Sequence, residues 1–167
     1  MSSLNKNKAH KNALQLLTDD LFWDESDELT PFGNDFGDTA LNDYRAWREE
    51  FPKAALIDLV KEVIEDLGEI EFKDYNVKVL DKATVGNLLT DEEYNVEKLF
   101  DGLDNSITAI GFAQLINEGK VDKEVKRLMR IAVERQLLAH SLGLYDEDLS
   151  KEYTYNLSVM KAVIEKI

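Results

Sequence analysis

SITAIGFAQLINE, residues 106–118, carries apolar side chains on nearly every side of a helical wheel: Ile107, Ala109, Ile110, Phe112, Ala113, Leu115 and Ile116 leave no polar face. A helix of that kind is buried on several sides, so other elements must surround it. Ser106 is placed to cap it and Gly119 to end it, and Gly111 and Ala113 would let neighbouring helices approach closely.

Working outward, the flanking segments show the apolar period of amphipathic helices. Ala40, Tyr44, Trp47 and Phe51 form one stripe, opened by Asp38 as N-cap. Pro52 ends that helix and fits the first turn of the next. There Leu56, Val60, Val63 and Leu67 form a stripe widened by Leu59 and Ile64, with Gly68 at the end. C-terminal to the central segment, Asp122 is placed to cap a helix bearing Val125, Leu128, Ala132 and Arg135, closed by Gly143. A last helix begins near Asp148 and carries Tyr153, Leu157, Met160 and Ile164. Residues 1–11 are expected to form a flexible tail that includes His10, followed by a short helix through Ala13, Leu14, Leu16 and Leu17.

Two stretches read less simply. Residues 69–80, EIEFKDYNVKVL, fit either a short β-hairpin or a loop leading into a helix over 77–89. The second is preferred, because an isolated hairpin is marginal in water. Thr90-Asp91-Glu92-Glu93 has the pattern of a capping box opening a helix through Leu99 and Phe100. The expected fold is therefore mainly α: one domain over 1–167, a bundle of about six or seven helices around a buried one.

Composition narrows the function. Hydrophobic residues make up 44% of the 167, enough for one sizeable core. The net charge of -14 disfavours nucleic acid and anionic membranes, whose binding needs clustered Lys and Arg, and suits a basic protein or a cation. The absence of cysteine removes disulfides, thiol nucleophiles and Cys-ligated zinc. With no apolar signal core near the N-terminus, the expected location is cytoplasmic. Two histidines cannot make a His-rich metal site, and neither a P-loop, G-x-G-x-x-G nor G-x-S-x-G occurs. His140, near a helix C-terminus, would favour the dipole there as an imidazolium. Lys120, Lys123, Lys126, Arg127, Arg130 and Arg135 read as the solvated face of one helix, alongside the reading of an anion-holding run.

The chemistry-bearing candidate is the acidic, aromatic stretch TDDLFWDESDELTPFGNDFGD, residues 18–38. Pro31, Gly33 and Gly37 mark it as a loop, and Trp23, Phe32 and Phe36 would pin it to the core. Asn34, Asp35 and Asp38, with Asp24 and Asp27 nearby, offer oxygen ligands for Ca²⁺ or Mg²⁺, but their spacing fails the EF-hand rule. Asp146, Asp148, Ser150 and Glu152 alternate better, yet Lys151 stands where that rule needs glycine. Asn and Asp also bond their own backbone in turns and at helix starts, and that structural reading of Asn34, Asp35 and Asp38 is preferred.

Trp23-Asp24, Pro31-Phe32-Gly33-Asn34-Asp35 and Gly37-Asp38-Thr39-Ala40-Leu41 resemble a small bacterial family typified by the YfeS protein and associated by name with molybdate-metabolism regulators. A Trp followed by P-F-x-N-D and a helix also resembles a second helical family of unknown function, where a later alanine-rich helix is similar to residues 108–113. The resemblance covers about twenty residues and implies a helical bundle in which Asn34 and Asp35 matter; it implies no activity.

The leading functional expectation is a non-enzymatic acidic protein-binding module, of inhibitor, immunity or regulatory type, facing a basic partner protein as monomer or homodimer. The alternative is a small-ligand or divalent-cation binding protein, or an enzyme, using Trp23, Asn34, Asp35 and Asp38. No cofactor or resident metal is expected.

Overall fold

The decisive helix is buried as its composition requires. In a computed structural model that describes residues 4–68 and 70–167, helix α5 (Asn105–Glu118) has an unbroken run of buried side chains from Asn105 to Ile116. It is enclosed by α1 (Lys11–Leu16), α2 (Asp35–Glu50), α3 (Ile57–Gly68) and α6 (Lys123–Ser141). Helix α7 (Glu147–Lys166) lies along α6, and α4 (Lys82–Thr90) rests on α6 over a second apolar cluster of Val85, Leu99, Phe100 and Ala139. The fold is mainly α, a single-domain bundle of seven α-helices, with no strand among the described residues. Each fully buried Ile, Leu or Phe of α5 contributes about 1.5–3 kcal/mol of burial. Gly111 sets the α5–α6 distance: a Cβ there would lie 2.2 Å from Met129 Sδ. Gly119 ends α5 in the left-handed conformation, at φ 76°.

Several helix boundaries differ from the sequence expectation, each for a local reason. Helix α2 starts at Asp35, and Asn34 rather than Asp38 is its N-cap, accepting from the Gly37 N–H at 2.8 Å. Pro52 does not enter the first turn of α3, which begins at Ile57. The intervening turn is held instead by Arg48, whose Nη1 donates to the carbonyls of Phe51 and Ala54. No hairpin forms among the described residues of 69–80; two 3₁₀ turns, Phe72–Asp74 and Val77–Leu80, lead to α4 at Lys82, capped by Asp81. Thr90 opens no helix: it ends α4, its hydroxyl bonded back to the carbonyls of Gly86 and Asn87. The next helical segment is π-helical, Glu97–Asp104, and runs without a break into α5. Ser106 therefore lies inside a helix already under way and caps nothing.

Asp122 precedes α6 but gives that helix no side-chain cap. Its carboxylate accepts instead from the Leu56 N–H at 3.1 Å and from Gln114 Nε2 at 3.0 Å, joining the start of α3 to α5. Helix α7 begins at Glu147, capped by Asp146. Leu4 N–H donates to Glu25 and His10 N–H to the Ile116 carbonyl, so residues 4–10 lie against the body.

Of the basic run read as a solvated face, Lys120, Lys123 and Arg127 are exposed, but Arg135 is not part of that face. It is 4% exposed. Its Nε and Nη2 donate to Asp104 at 2.8 and 3.0 Å, and its guanidinium lies over the Tyr75 and Phe100 rings. Tyr75 Oη donates to the same carboxylate at 2.6 Å. Burial, the largest influence, holds the Asp104 carboxyl above its ordinary range, against the pull of Arg135. Burial also opposes the Arg135 charge, but Asp104 beside it raises the guanidinium above its usual value. The π-helical segment thus sends one acid, Asp104, into the core and leaves Asp101, three residues earlier, near the surface.

Candidate functional site

The P-F-G-N-D turn is held by hydrogen bonds that centre on Thr30 and Asn34. Thr30 Oγ1 donates to the carbonyls of Asp24 and Asp27, each at 2.7 Å. Asn34 Nδ2 donates to the carbonyls of Glu28 and Thr30, while its Oδ1 accepts from Gly37 N–H and from Asn105 Nδ2. Both donors and both acceptor positions of the amide are spent. Asp24 accepts from the Ser26 hydroxyl and N–H, which hold its carboxyl below the ordinary range.

The four sequence candidates therefore separate. Asn34 and Asp35 border one cleft. Trp23 donates its indole N–H to the Leu17 carbonyl at 2.8 Å, away from that cleft, and Asp38 is exposed beside Asn42. Among the described residues no three His, Asp or Glu side chains converge as a metal-ligand set.

The cleft itself has a volume of about 170 Å³ and lies where the P-F-G-N-D turn, the π-helical segment and α7 meet. Glu28, Asp35, Glu97 and Asp101 line it with Phe36 and Tyr153, and neither Lys nor Arg is among its lining residues. Asp101 Oδ2 accepts a short hydrogen bond from Tyr145 Oη; Asp101 Oδ1 is buried and has no hydrogen-bond partner. Burial pushes the Asp101 carboxyl up to about 6, against the Tyr145 bond and with the help of Glu97 and Asp104.

Behind it, Tyr153 stacks on His140 at 4.9 Å and on Tyr145 at 5.8 Å between ring centroids. His140, 6% exposed, pairs through Nδ1 with Ser150 Oγ at 2.9 Å, and its Nε2 has no partner. Burial pushes it down to about 4, so at neutral pH it is not the dipole-favouring imidazolium that its position near a helix end suggests.

A second depression adjoins the cleft through Asp35 and Phe36. It is a groove of about 360 Å³ between α2 and α3, with Phe36, Ala40, Val63 and Leu67 along its apolar wall and Asp35, Asp43 and Asp66 at its edge. Val63 and Leu67 belong to the apolar stripe of α3, yet Leu56, Leu59, Val60 and Ile64 take the core positions. The sequence reading missed Glu97, Asp101 and Tyr153. The available signal was Asp101 and Asp104 within the otherwise apolar run Leu99-Phe100-Asp101-Gly102-Leu103-Asp104.

Comparison of the chain with protein-family models, curated proteins and solved structures found no match.

Asp101 gives the site a measurable pH signature. Its raised value means that its favourable contribution is present at low pH and lost as pH rises through about 6. His140 works in the opposite sense: it contributes above its ordinary value of 6.5, and that contribution is lost as pH falls toward about 4. The two slopes oppose each other between these values. Asp101→Asn should stabilise the fold by about 1 kcal/mol at pH 7.5, after allowing for the water-exposed part of the carboxyl, and by nothing at pH 4. Urea unfolding at both pH values checks this; an equal effect at both would contradict it.

Proposed function

We propose that this chain is a non-enzymatic, acidic binding module whose partner is a basic protein, held against the α2–α3 face. The observation that carries the reading is the groove: an apolar wall edged by Asp35, Asp43 and Asp66, with no Lys or Arg among its lining residues. Such a surface fits an amphipathic segment that presents apolar side chains flanked by cations. The net charge of -14 would steer that partner and raise the rate of encounter. An inhibitor, immunity or regulatory role in a bacterial cytoplasm, as monomer or homodimer, accords with this chemistry and with the resemblance of residues 23–41 to the YfeS-like family.

The alternative, a small-ligand or divalent-cation site on Trp23, Asn34, Asp35 and Asp38, has less support, because Asn34 is saturated and Trp23 and Asp38 lie off the cleft.

A labelled synthetic helix with leucines at spacings of three and four and lysines elsewhere tests the module reading by fluorescence anisotropy. Binding should be saturable, weaken as salt is raised, and fall about tenfold in Val63→Lys, a loss of about 1.4 kcal/mol. Equal binding by a charge-matched peptide without leucines would overturn the groove.

A further inference from the structure

We propose that copies of this chain associate head to tail, the basic α1 end of one seated on the α2–α3 groove of the next. The inference rests on the module reading above, because it uses the same groove, and it names the partner as a second copy of this chain.

The two surfaces lie at opposite ends of the central helix. Ser106, in the first turn of α5, lines the groove. At the far end Gly119 closes α5, and there the His10 N–H and the Asn12 side chain donate to the carbonyls of Ile116 and Gly119. Residues 4–16 are thereby fixed about 20 Å along the helix axis from the groove, at a rise of 1.5 Å per helical residue.

Their charges are opposite. Residues 4–16, LNKNKAHKNALQL, carry Lys6, Lys8 and Lys11 and no acid, in a chain of net charge -14. Lys6 is held by Asp20 and the Trp23 ring. Lys8 and Lys11 are exposed and enter no ion pair among the described residues. The basic run at α6 is engaged within the chain: Lys120 pairs with Asp122, Arg127 with Glu124, and Lys126 donates to the Ile167 carbonyl. Leu14 follows Lys11 by three residues, on the same face of α1, and is 42% exposed. A leucine flanked by lysines supplies what the groove takes: apolar contact for Val63 and Leu67, and cations for Asp43 and Asp66.

Contact between two unlike surfaces is heterologous. Every added copy presents a fresh groove or a fresh basic face, so assembly grows into rings or chains and does not stop at a two-fold dimer. Copies of like net charge repel, but at about 0.15 M salt that repulsion is screened beyond about 8 Å, and lysine–aspartate pairs in the contact lie within that distance.

The test is sedimentation equilibrium of the full chain at about 0.15 M salt, over concentrations spanning a dissociation constant expected on the order of 0.1 mM. The average mass should rise with concentration past that of a dimer. Lys8→Glu with Lys11→Glu, and separately Asp43→Lys with Asp66→Lys, should each weaken association at least tenfold; all four positions are exposed. Mixing the two variants should restore it, because each then meets the complementary charge on the other, and restoration also shows that both are folded. A chain that stays monomeric, association that either variant leaves unchanged, or a mixture that stays dissociated would overturn the contact. The leucine–lysine helix, titrated into the same samples, keeps the two ideas apart. A monomer that still binds the helix refutes the head-to-tail contact and leaves the module standing. Self-association that follows the charge reversals, without any helix binding, upholds the contact and refutes a separate basic partner.

Discussion

Asp104→Ala should cost about 3–5 kcal/mol, because it leaves a guanidinium buried without its counter-charge. Arg135 is 4% exposed and Asp104 wholly buried, so water cannot replace the lost carboxylate without opening the junction of the π-helical segment with α6. The Tyr75 hydroxyl would lose its acceptor as well. For a chain of this size the midpoint of thermal unfolding should fall by about 10 °C. The companion variant distinguishes a buried charge from a general packing defect. Replacing all three polar groups together, as Tyr75→Phe, Asp104→Leu and Arg135→Leu, should recover most of the loss, since apolar groups of similar volume satisfy one another. A single variant within about 1 kcal/mol of the parent would show that the pair is not the internal brace described above.

Gly37→Ala is the second large effect. A Cβ at Gly37 would lie 1.8 Å from the Pro31 carbonyl oxygen and 3.1 Å from Asn105 Nδ2. The close neighbour is backbone, not the end of a flexible side chain, so the P-F-G-N-D turn and the first turn of α2 must part. That displaces Phe32 from the core and breaks the bond from Asn105 Nδ2 to the Pro31 carbonyl. The expected loss is about 3 kcal/mol, at the upper end of the ordinary cost of overpacking. Asp35→Ala, on the exposed side of the same turn, should change stability by no more than about 0.5 kcal/mol. Urea unfolding of the two variants side by side checks both. Equal effects would mean that the turn is held by something other than its close backbone packing.

These contrasts show what was legible in the sequence. The buried central helix could be read directly, because side chains such as Ile107, Ile110 and Phe112 on every face leave no other outcome in water. The structural reading of Asn34 could be read in kind but not in place. Asn34 and Asp38 are both good N-caps, four residues apart, and the choice depends on where Asn105 and the Pro31 carbonyl lie in space. Ser106 and Thr90 were misread because each matches a local capping pattern, while helix continuity upstream of Ser106 and back-bonding at Thr90 are set by neighbouring turns. Arg135 was hidden for a different reason. A basic residue on an apolar stripe signals burial only if its partner is known, and Asp104 is 31 residues away in the chain. The cleft was the least legible feature, since Asp101 and Tyr153 come from segments far in the chain from the stretch that carries Glu28 and Asp35.

Val63 and Leu67 are the residues on which the functional account depends, because they continue the apolar stripe of α3 at the edge of the core and stay only partly buried. The most direct measurement is a backbone chemical-shift map of the labelled protein titrated with the leucine–lysine helix. The account predicts perturbations concentrated on Ala40, Asp43, Val63, Asp66 and Leu67, extending toward Asp35, and needing about tenfold more helix to saturate in Val63→Lys. Small shifts scattered over the acidic surface of the other helices, unchanged by that substitution, would show that the negative charge attracts cations without a site and would contradict it.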